Sequence, residues 1–246
     1  IPSTVRLIDM NAFYQCKSLR FVEIPPNSNL EIIRARAFQE SSIESISIPA
    51  SIAFIGEESF YSCKNLKRVD FAIESELNEI PANCFYNANI KSVMIPSKVK
   101  ILNYGSFKGN DNLQYITFQE DSRLQEINSD SLSNTRIKSF SFPPKLSFLD
   151  KETICKRNLQ IIEINDYSNL QYFNKEYVVP NSNVIVMISV KIVDRFDLNL
   201  ESEKNKKNIS DISKNEMPNC LNQKISNDLK QDNSELCNFY CFYVIF

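Results

Sequence analysis

The chain has 246 residues, 28 of them basic and 30 acidic, for a formal net charge of −2, so it offers no counterion-release drive for binding nucleic acid. It contains no His, which removes the commonest general base and the commonest metal ligand, and its three glycines (Gly56, Gly105, Gly109) cannot build a Gly-rich phosphate loop. No catalytic residue, metal ligand or cofactor is therefore expected, and a non-enzymatic module is.

From the N-terminus onward, one apolar triplet recurs. It reads Val5/Ile8/Phe13, Leu30/Ile33/Phe38, Ile52/Ile55/Phe60, Leu77/Ile80/Phe85 and Val99/Leu102/Phe107. It continues as Leu124/Ile127/Leu132, Leu146/Leu149/Ile154 and Leu170/Phe173/Val178. Successive triplets alternate 25 and 22 residues apart, as from Val5 to Leu30 and from Leu30 to Ile52, faltering by one at the last. A fixed period of this length marks a solenoid, in which each coil buries its apolar side only by stacking on its neighbours. Phe13, Phe38, Phe60, Phe85 and Phe107 are the expected core anchors.

Between these triplets lies a second, strand-like set, exemplified by Leu19/Val22/Ile24, Ile43/Ile46/Ile48, Leu66/Val69/Phe71, Ile90/Val93/Ile95 and Leu113/Ile116/Phe118. Its last two members are two residues apart, so both point inward while their neighbours point outward. Ile-Pro closes several of these strands (Ile24-Pro25, Ile48-Pro49, Ile95-Pro96), because proline ends the ladder and turns the chain. Stretches such as 57–63 are long enough for a helical or 3₁₀ turn. Each coil is thus read as one short strand, a turn and a brief helical piece: an α/β repeat solenoid of about eight coils over residues 1–193 with a parallel strand ladder on one face.

After Val179 the rhythm stops. Val184–Val193 is an apolar run of ten residues with a Lys inside, too short to span a membrane and suited to the last buried strands. Residues 194–246 form a separate region, polar and rich in Asn, Lys, Ser, Asp and Glu to about Glu235, a composition that favours disorder. The apolar end Phe239–Phe246 has three readings: the start of a membrane anchor that is not present as a full span, a segment covering the last coil, or sequence without a role. The chain opens at Ile1 inside a repeat and reads as a piece of a longer protein, with no signal peptide visible.

The segments Ile1-Pro2-Ser3-Thr4-Val5, Ala12-Phe13 and Cys16-Lys17-Ser18-Leu19 resemble the BspA-like (Treponema-type) leucine-rich repeat, as do Ile48 to Ile52, Ser59-Phe60 and Cys63 to Leu66. The alternation of a long coil with a Ser-x-Leu entry (Ser28-Asn29-Leu30, Ser75-Glu76-Leu77, Ser122-Arg123-Leu124) and a short Ile-Pro coil is similar to the protist branch of that family. The resemblance covers about residues 1–180 and carries over no catalytic residue. It implies a cell-surface or secreted protein that adheres to protein partners: host matrix, a host cell or another surface protein. A repetitive surface antigen or coat, or an intracellular scaffold, are the alternatives. Leu132 and Ile154 depart from the pattern where it has Phe, and Asn110 where it has Cys.

The outward residues of the strand set form two columns. One reads Phe21, Ser45, Arg68, Ser92, Tyr115, Ser139, Ile161; the other Glu23, Ser47, Asp70, Met94, Thr117, Ser141, Glu163. Large residues fall on alternate coils with serine between, and aromatic and Arg anchors of this kind are typical of interface hot spots. Phe21, Glu23, Arg68, Asp70, Met94 and Tyr115 are the expected ligand-binding residues. Cys16 and Cys63 share a repeat position two coils apart, about 9–10 Å, beyond disulfide reach, and read as small buried hydrophobes. Cys84 and Cys155 read the same way. Cys220, Cys237 and Cys241 lack the spacing of a zinc site.

Overall fold

The computed structural model describes residues 1–150, 153–154, 158–164, 185–188 and 242–245. From Leu30 to Ile164 each coil contributes two strands, not one, and the first coil adds one short strand and a single bridge at Phe21. The first strand of each coil lies on the apolar triplet: β1 (Leu7–Ile8), β2 (Ile32–Ile33), β4 (Phe54–Ile55), β6 (Glu79–Ile80), β8 (Ile101–Leu102), β10 (Glu126–Ile127) and β12 (Phe148–Leu149). These two-residue strands stack in parallel, β1–β2–β4 and β6–β8–β10–β12. The second ladder lies on the strand-like set: β3 (Ser45–Ile48), β5 (Arg68–Phe71), β7 (Ser92–Ile95), β9 (Tyr115–Phe118), β11 (Ser139–Ser141), β13 (Ile161–Ile164) and β14 (Ile185–Ile188). It pairs in parallel as β3–β5–β7–β9 and as β11–β13–β14, in the register expected from the repeat, for example Val93 against Ile116. The short first ladder is what the sequence reading missed.

The helical or 3₁₀ pieces are not there. The described residues contain no helix, and the third side of each coil is a row of turns. In the second coil Ala37, Gln39 and Ser41 donate their N–H groups back to the carbonyls of Arg34, Arg36 and Phe38. The N–H groups between them, on Arg36, Phe38 and Glu40, donate instead to Glu57, Ser59 and Tyr61 of the next coil. Half the donors thus close turns and half cross between coils, which leaves none for an i→i−4 ladder. Arg36 and Glu40 carry positive φ (59° and 56°), and the same two places recur at Glu58/Ser62, Asn83/Asn87, Gly105/Gly109 and Asp130/Asn134. A positive φ at the third residue of an i→i+3 turn marks the type II turn, which favours Gly and Asn there. A helix cannot pass through such residues.

The alternation of coil length has a local cause. In the short coils Ile52, Val99 and Leu146 each donate to the carbonyl of the proline three residues back, closing a tight turn. In the long coils a buried serine does that work: Ser28 Oγ accepts the N–H of Leu30 at 3.1 Å, Ser75 that of Leu77 and Ser122 that of Leu124, both at 3.4 Å. The Ser-x-Leu motif is a side-chain turn that lets the longer loop enter the core without an orphaned donor.

All five predicted anchors lie on one stack inside the coils. The rings of Phe13, Phe38, Phe60, Phe85 and Phe107 are parallel within 13°, with centroids 4.9–5.3 Å apart. Phe13, on the first coil, is half-buried; the other four are fully buried. Leu132 and Ile154 continue the row, bridging to each other where the phenylalanines end. Leu30, Ile52, Leu77, Val99, Leu124 and Leu146 fill the layer beneath the short ladder and are all buried.

Cys16, Cys63 and Cys84 are free thiols. Cys63 donates to the carbonyl of Phe38 at 3.0 Å, and burial pushes its pKa up to about 11; burial also holds Cys84 well above the ordinary value. Both stay protonated and unreactive at neutral pH. At the place of Cys63 two coils later, Asn110 does more than a cysteine could. Its Nδ2 donates to the carbonyls of Phe85 and Phe107, each at 2.7 Å, and its Oδ1 accepts the N–H of Ile90 at 3.2 Å.

Within the apolar run, Ile185–Ile188 form β14, parallel to β13, and β15 (Phe242–Ile245) pairs antiparallel with β14, Ile188 opposite Phe242. Of the apolar end, the described residues 242–245 thus pair with the edge of β14. Cys155, the remaining cysteines and the polar stretch expected to lack packing lie outside the described residues.

Candidate functional site: the long strand face

In a parallel ladder, residues two apart share a face, so the side chains that flank the buried Ile46, Val69, Val93 and Ile116 must point outward. Backbone register places Phe21 beside Ser45, Ser45 beside Arg68, Arg68 beside Ser92 and Ser92 beside Tyr115. The first predicted column is therefore a physical column. Phe21 is 69 % exposed and Tyr115 63 %. At one ladder spacing per coil, successive large side chains stand about 9–10 Å apart with a serine in each gap.

The second column is assembled in pieces: Ser47 lies beside Asp70, and Met94, 48 % exposed, beside Thr117. Glu23 is exposed but stands apart, because its coil joins the ladder through Phe21 alone. Two contacts tune the charge here. Arg68 Nε donates to Asp70 Oδ2 on its own strand at 2.7 Å, and the Arg20 guanidinium lies 5.7 Å from the centre of the Phe21 ring. Both members of the Arg68–Asp70 pair are largely solvent-exposed, so the pair contributes at most about 1 kcal/mol and can be exchanged for contacts to a partner.

The face is a shallow surface of hydroxyls with protruding aromatic and charged groups. Two depressions on the turn side, one bounded by Tyr86, Gly109, Asp111 and Arg136 and one by Tyr14, Arg36 and Glu58, lie open to solvent. Among the described residues no three His, Cys, Asp or Glu side chains cluster as metal ligands, and no helix is long and apolar enough to cross a membrane.

A second exposed row escaped the sequence reading. On the short ladder Leu7, Ile32 and Phe54 stand in register, and Phe148 stands beside Glu126; Leu7, Phe54 and Phe148 are 38–49 % exposed. The signal was available: the residue before the second anchor is apolar at Leu7, Ile32, Phe54, Ile101 and Phe148. On the turn side Tyr61 and Tyr86 stack at 4.8 Å, again one coil apart.

Two parallel ladders and a row of turns around a phenylalanine stack define a parallel β-solenoid of the leucine-rich-repeat type. The chain belongs to the family described as BspA type leucine rich repeat region, whose pattern matches in six copies over residues 1–78, 31–160 and 78–193. Proteins of this family are generally non-catalytic binding or structural modules.

Among solved structures, the chain is similar to a leucine-rich repeat protein from Bacteroides ovatus, with 23% identity and a TM-score of 0.51, covering 77% of this chain and 51% of that one. It is also similar to a leucine rich cell surface protein from Faecalibacterium prausnitzii, with 20% identity and a TM-score of 0.42, covering 80% and 59%. A third likeness, to the Pneumococcal vaccine antigen PcpA, has 17% identity and a TM-score of 0.32, covering 80% and 76%. The chain spans about half the length of the Bacteroides protein. No curated protein matches it.

Proposed function

We propose that this chain is a cell-surface adhesion module that binds protein partners through the long strand face, with Phe21, Arg68 and Tyr115 as its anchors and Glu23, Asp70 and Met94 as flanking contacts. The single observation that carries the reading is the in-register column Phe21–Ser45–Arg68–Ser92–Tyr115, in which two aromatic rings stand more than 60 % exposed. Aromatic side chains bury a large area at low conformational-entropy cost, and Arg adds a planar fork of donors, which is why both are enriched among interface hot spots. The surface assignment follows from the family resemblance.

The test is retention of the purified chain on immobilised extracellular-matrix proteins and host-cell membranes. Phe21→Ala, Arg68→Ala and Tyr115→Ala combined should weaken binding at least about ten-fold, the loss of roughly 1.4 kcal/mol or more expected when anchors are truncated. A triple variant that binds as well as the parent sinks the reading.

One observation favours a passive coat: Arg68 is already neutralised by Asp70 beside it. A coat protein would show no saturable retention on any of these surfaces.

A further inference from the structure

The long strand is preceded by a corner, where each coil turns from the row of turns into the ladder. Backbone hydrogen bonds fix a row along it: Glu44 donates to Arg20, Lys67 to Glu44, Lys91 to Lys67 and Gln114 to Lys91, at 2.9–3.3 Å. Lys138 holds the same place further on, where it accepts the N–H of Gln160 at 2.7 Å. Lys64 and Arg136 sit two or three residues earlier in their coils, on the same corner.

Six cations of this protein pair with carboxylates on a neighbouring coil at 3.4 Å or less. Lys17 is bound to Glu40, Arg20 to Glu44, Arg34 to Asp9, Arg36 to Glu58, Lys98 to Glu76 and Lys108 to Asp130. Lys64, Lys67, Lys91, Arg136 and Lys138 on the corner are all exposed, and, like Lys100, Arg123 and Lys145 on the short-ladder side, none has an ion-pair partner among the described residues; only on the corner do lysines of adjacent coils stand in register. The nearby carboxylates do little to offset them. Glu44 is held by Arg20 and Asp70 by Arg68, which leaves Asp111 as the exposed acid along the row. Lys67 and Lys91 are neighbours on adjacent coils, about 4.8 Å apart along the stacking axis, well inside the Debye length of about 8 Å at physiological salt. Their potentials add, and placing them together unpaired costs stability that a bound anion would recover.

Beside the lysines runs a row of amides. Asn89 donates its backbone N–H to Leu66, and Asn112 Nδ2 donates to Asn89 Oδ1 at 2.5 Å; Asn65 lies one coil earlier. Amides donate to and accept from hydroxyl groups with equal ease.

From this we propose that the corner Lys64–Lys67–Lys91, extended by Arg136 and Lys138, is a docking strip for a linear anionic polysaccharide, its sulfate or carboxylate groups on the lysines and its hydroxyls on the asparagines. The straight line of cations at one-coil and two-coil steps suits a stiff chain running along the stacking axis. A single-stranded nucleic acid would call for stacked aromatic platforms in the same row, and this row has none. The proposal is independent of the strand-face reading, since neither Phe21 nor Tyr115 takes part in it.

Fluorescence anisotropy of a labelled heparin decasaccharide with the full chain tests it. We expect saturable binding at about 0.15 M salt. Lys64→Gln, Lys67→Gln and Lys91→Gln combined should weaken it about ten-fold or more and lower the slope of log K against log salt by about three, one per released counterion. A control variant, Lys100→Gln, Arg123→Gln and Lys145→Gln, removes the same charge from the short-ladder side, where Lys100 adjoins Glu126, and should change binding less than about two-fold. Both variants are to melt at the parent temperature. Absence of heparin binding, equal losses in the two variants, or equally tight binding of a thymidine oligonucleotide or of poly-glutamate would each overturn the proposal.

Discussion

The rings of Phe60 and Phe85 lie parallel within 8°, their centroids 5.2 Å apart, on adjacent coils with no exposed surface on either. The spacing is close to the strand ladder's own, so each ring offers its face to the ring above and below and the stack has no gap to collapse into. Phe60→Ala is expected to lower stability by about 3–5 kcal/mol, the range for deleting a buried phenylalanine. Urea unfolding followed by circular dichroism checks this, and an unchanged midpoint would contradict the register of the whole repeat.

Asn110 satisfies three backbone groups at once, the carbonyls of Phe85 and Phe107 and the N–H of Ile90. Asn110→Ala leaves the buried Ile90 N–H unpaired, while the carbonyls of Phe85 and Phe107 keep the 3.4 Å backbone bonds from residues 88 and 110. It is expected to cost about 1–3 kcal/mol, the range for one buried unsatisfied group. Asn110→Cys should recover part of the loss, since Cys63 shows that a thiol at this place can donate to the carbonyl of the preceding coil. Thermal denaturation of the two variants side by side decides the order.

A column of small residues precedes the phenylalanine stack. Ser59 donates to the carbonyl of Gly56 at 2.5 Å, whereas the hydroxyls of Ser106 and Ser131 are buried without a partner. Ala37 fills the same place with no exposed area, so a methyl group fits. Ser106→Ala and Ser131→Ala are therefore expected to be neutral or stabilising by up to about 1 kcal/mol, because they remove a desolvated hydroxyl and lose no bond. Ser59→Ala should destabilise by about 1 kcal/mol.

Asp130 and Lys108 form a half-buried cross-coil pair at 2.8 Å. Burial pushes the Asp130 carboxyl up, but hydrogen bonds from Lys108, Ser133 and Tyr104 outweigh it and hold it below its ordinary value of 3.8. A lowered carboxylate adds stability above its unfolded pKa, and that contribution disappears as pH falls through the folded value. Asp130→Asn should thus be less stable than the parent at pH 7 by about 0.5–1 kcal/mol, with the difference shrinking below about pH 4. Urea midpoints across that range measure it.

What the sequence revealed was whatever the repeat imposes on apolar side chains. The five phenylalanines, the inward pairs such as Val93 and Ile95, and the column from Phe21 to Tyr115 were all legible from spacing, because period two and a fixed coil length leave one arrangement that buries them. The turns were not legible. Glu58-Ser59-Phe60-Tyr61 has ordinary helix composition, and only the exchange of hydrogen bonds with the next coil turns it away from a helix. The short ladder escaped because each strand is two residues long, below any periodicity test. The unpaired lysines of the corner were equally hidden, since which cations find partners depends on side chains a full coil away.

The comparison of the two exposed faces bears most directly on the claim that the long strand face is the binding surface. Surface plasmon resonance against a matrix protein that retains the parent chain would be run with Phe21, Arg68 and Tyr115 changed to Ala, and separately with Leu7, Phe54 and Phe148 changed to Ala on the short ladder. The account predicts a loss of about ten-fold or more for the first variant and less than about two-fold for the second, with both melting like the parent. The reverse order, or equal losses, would contradict it.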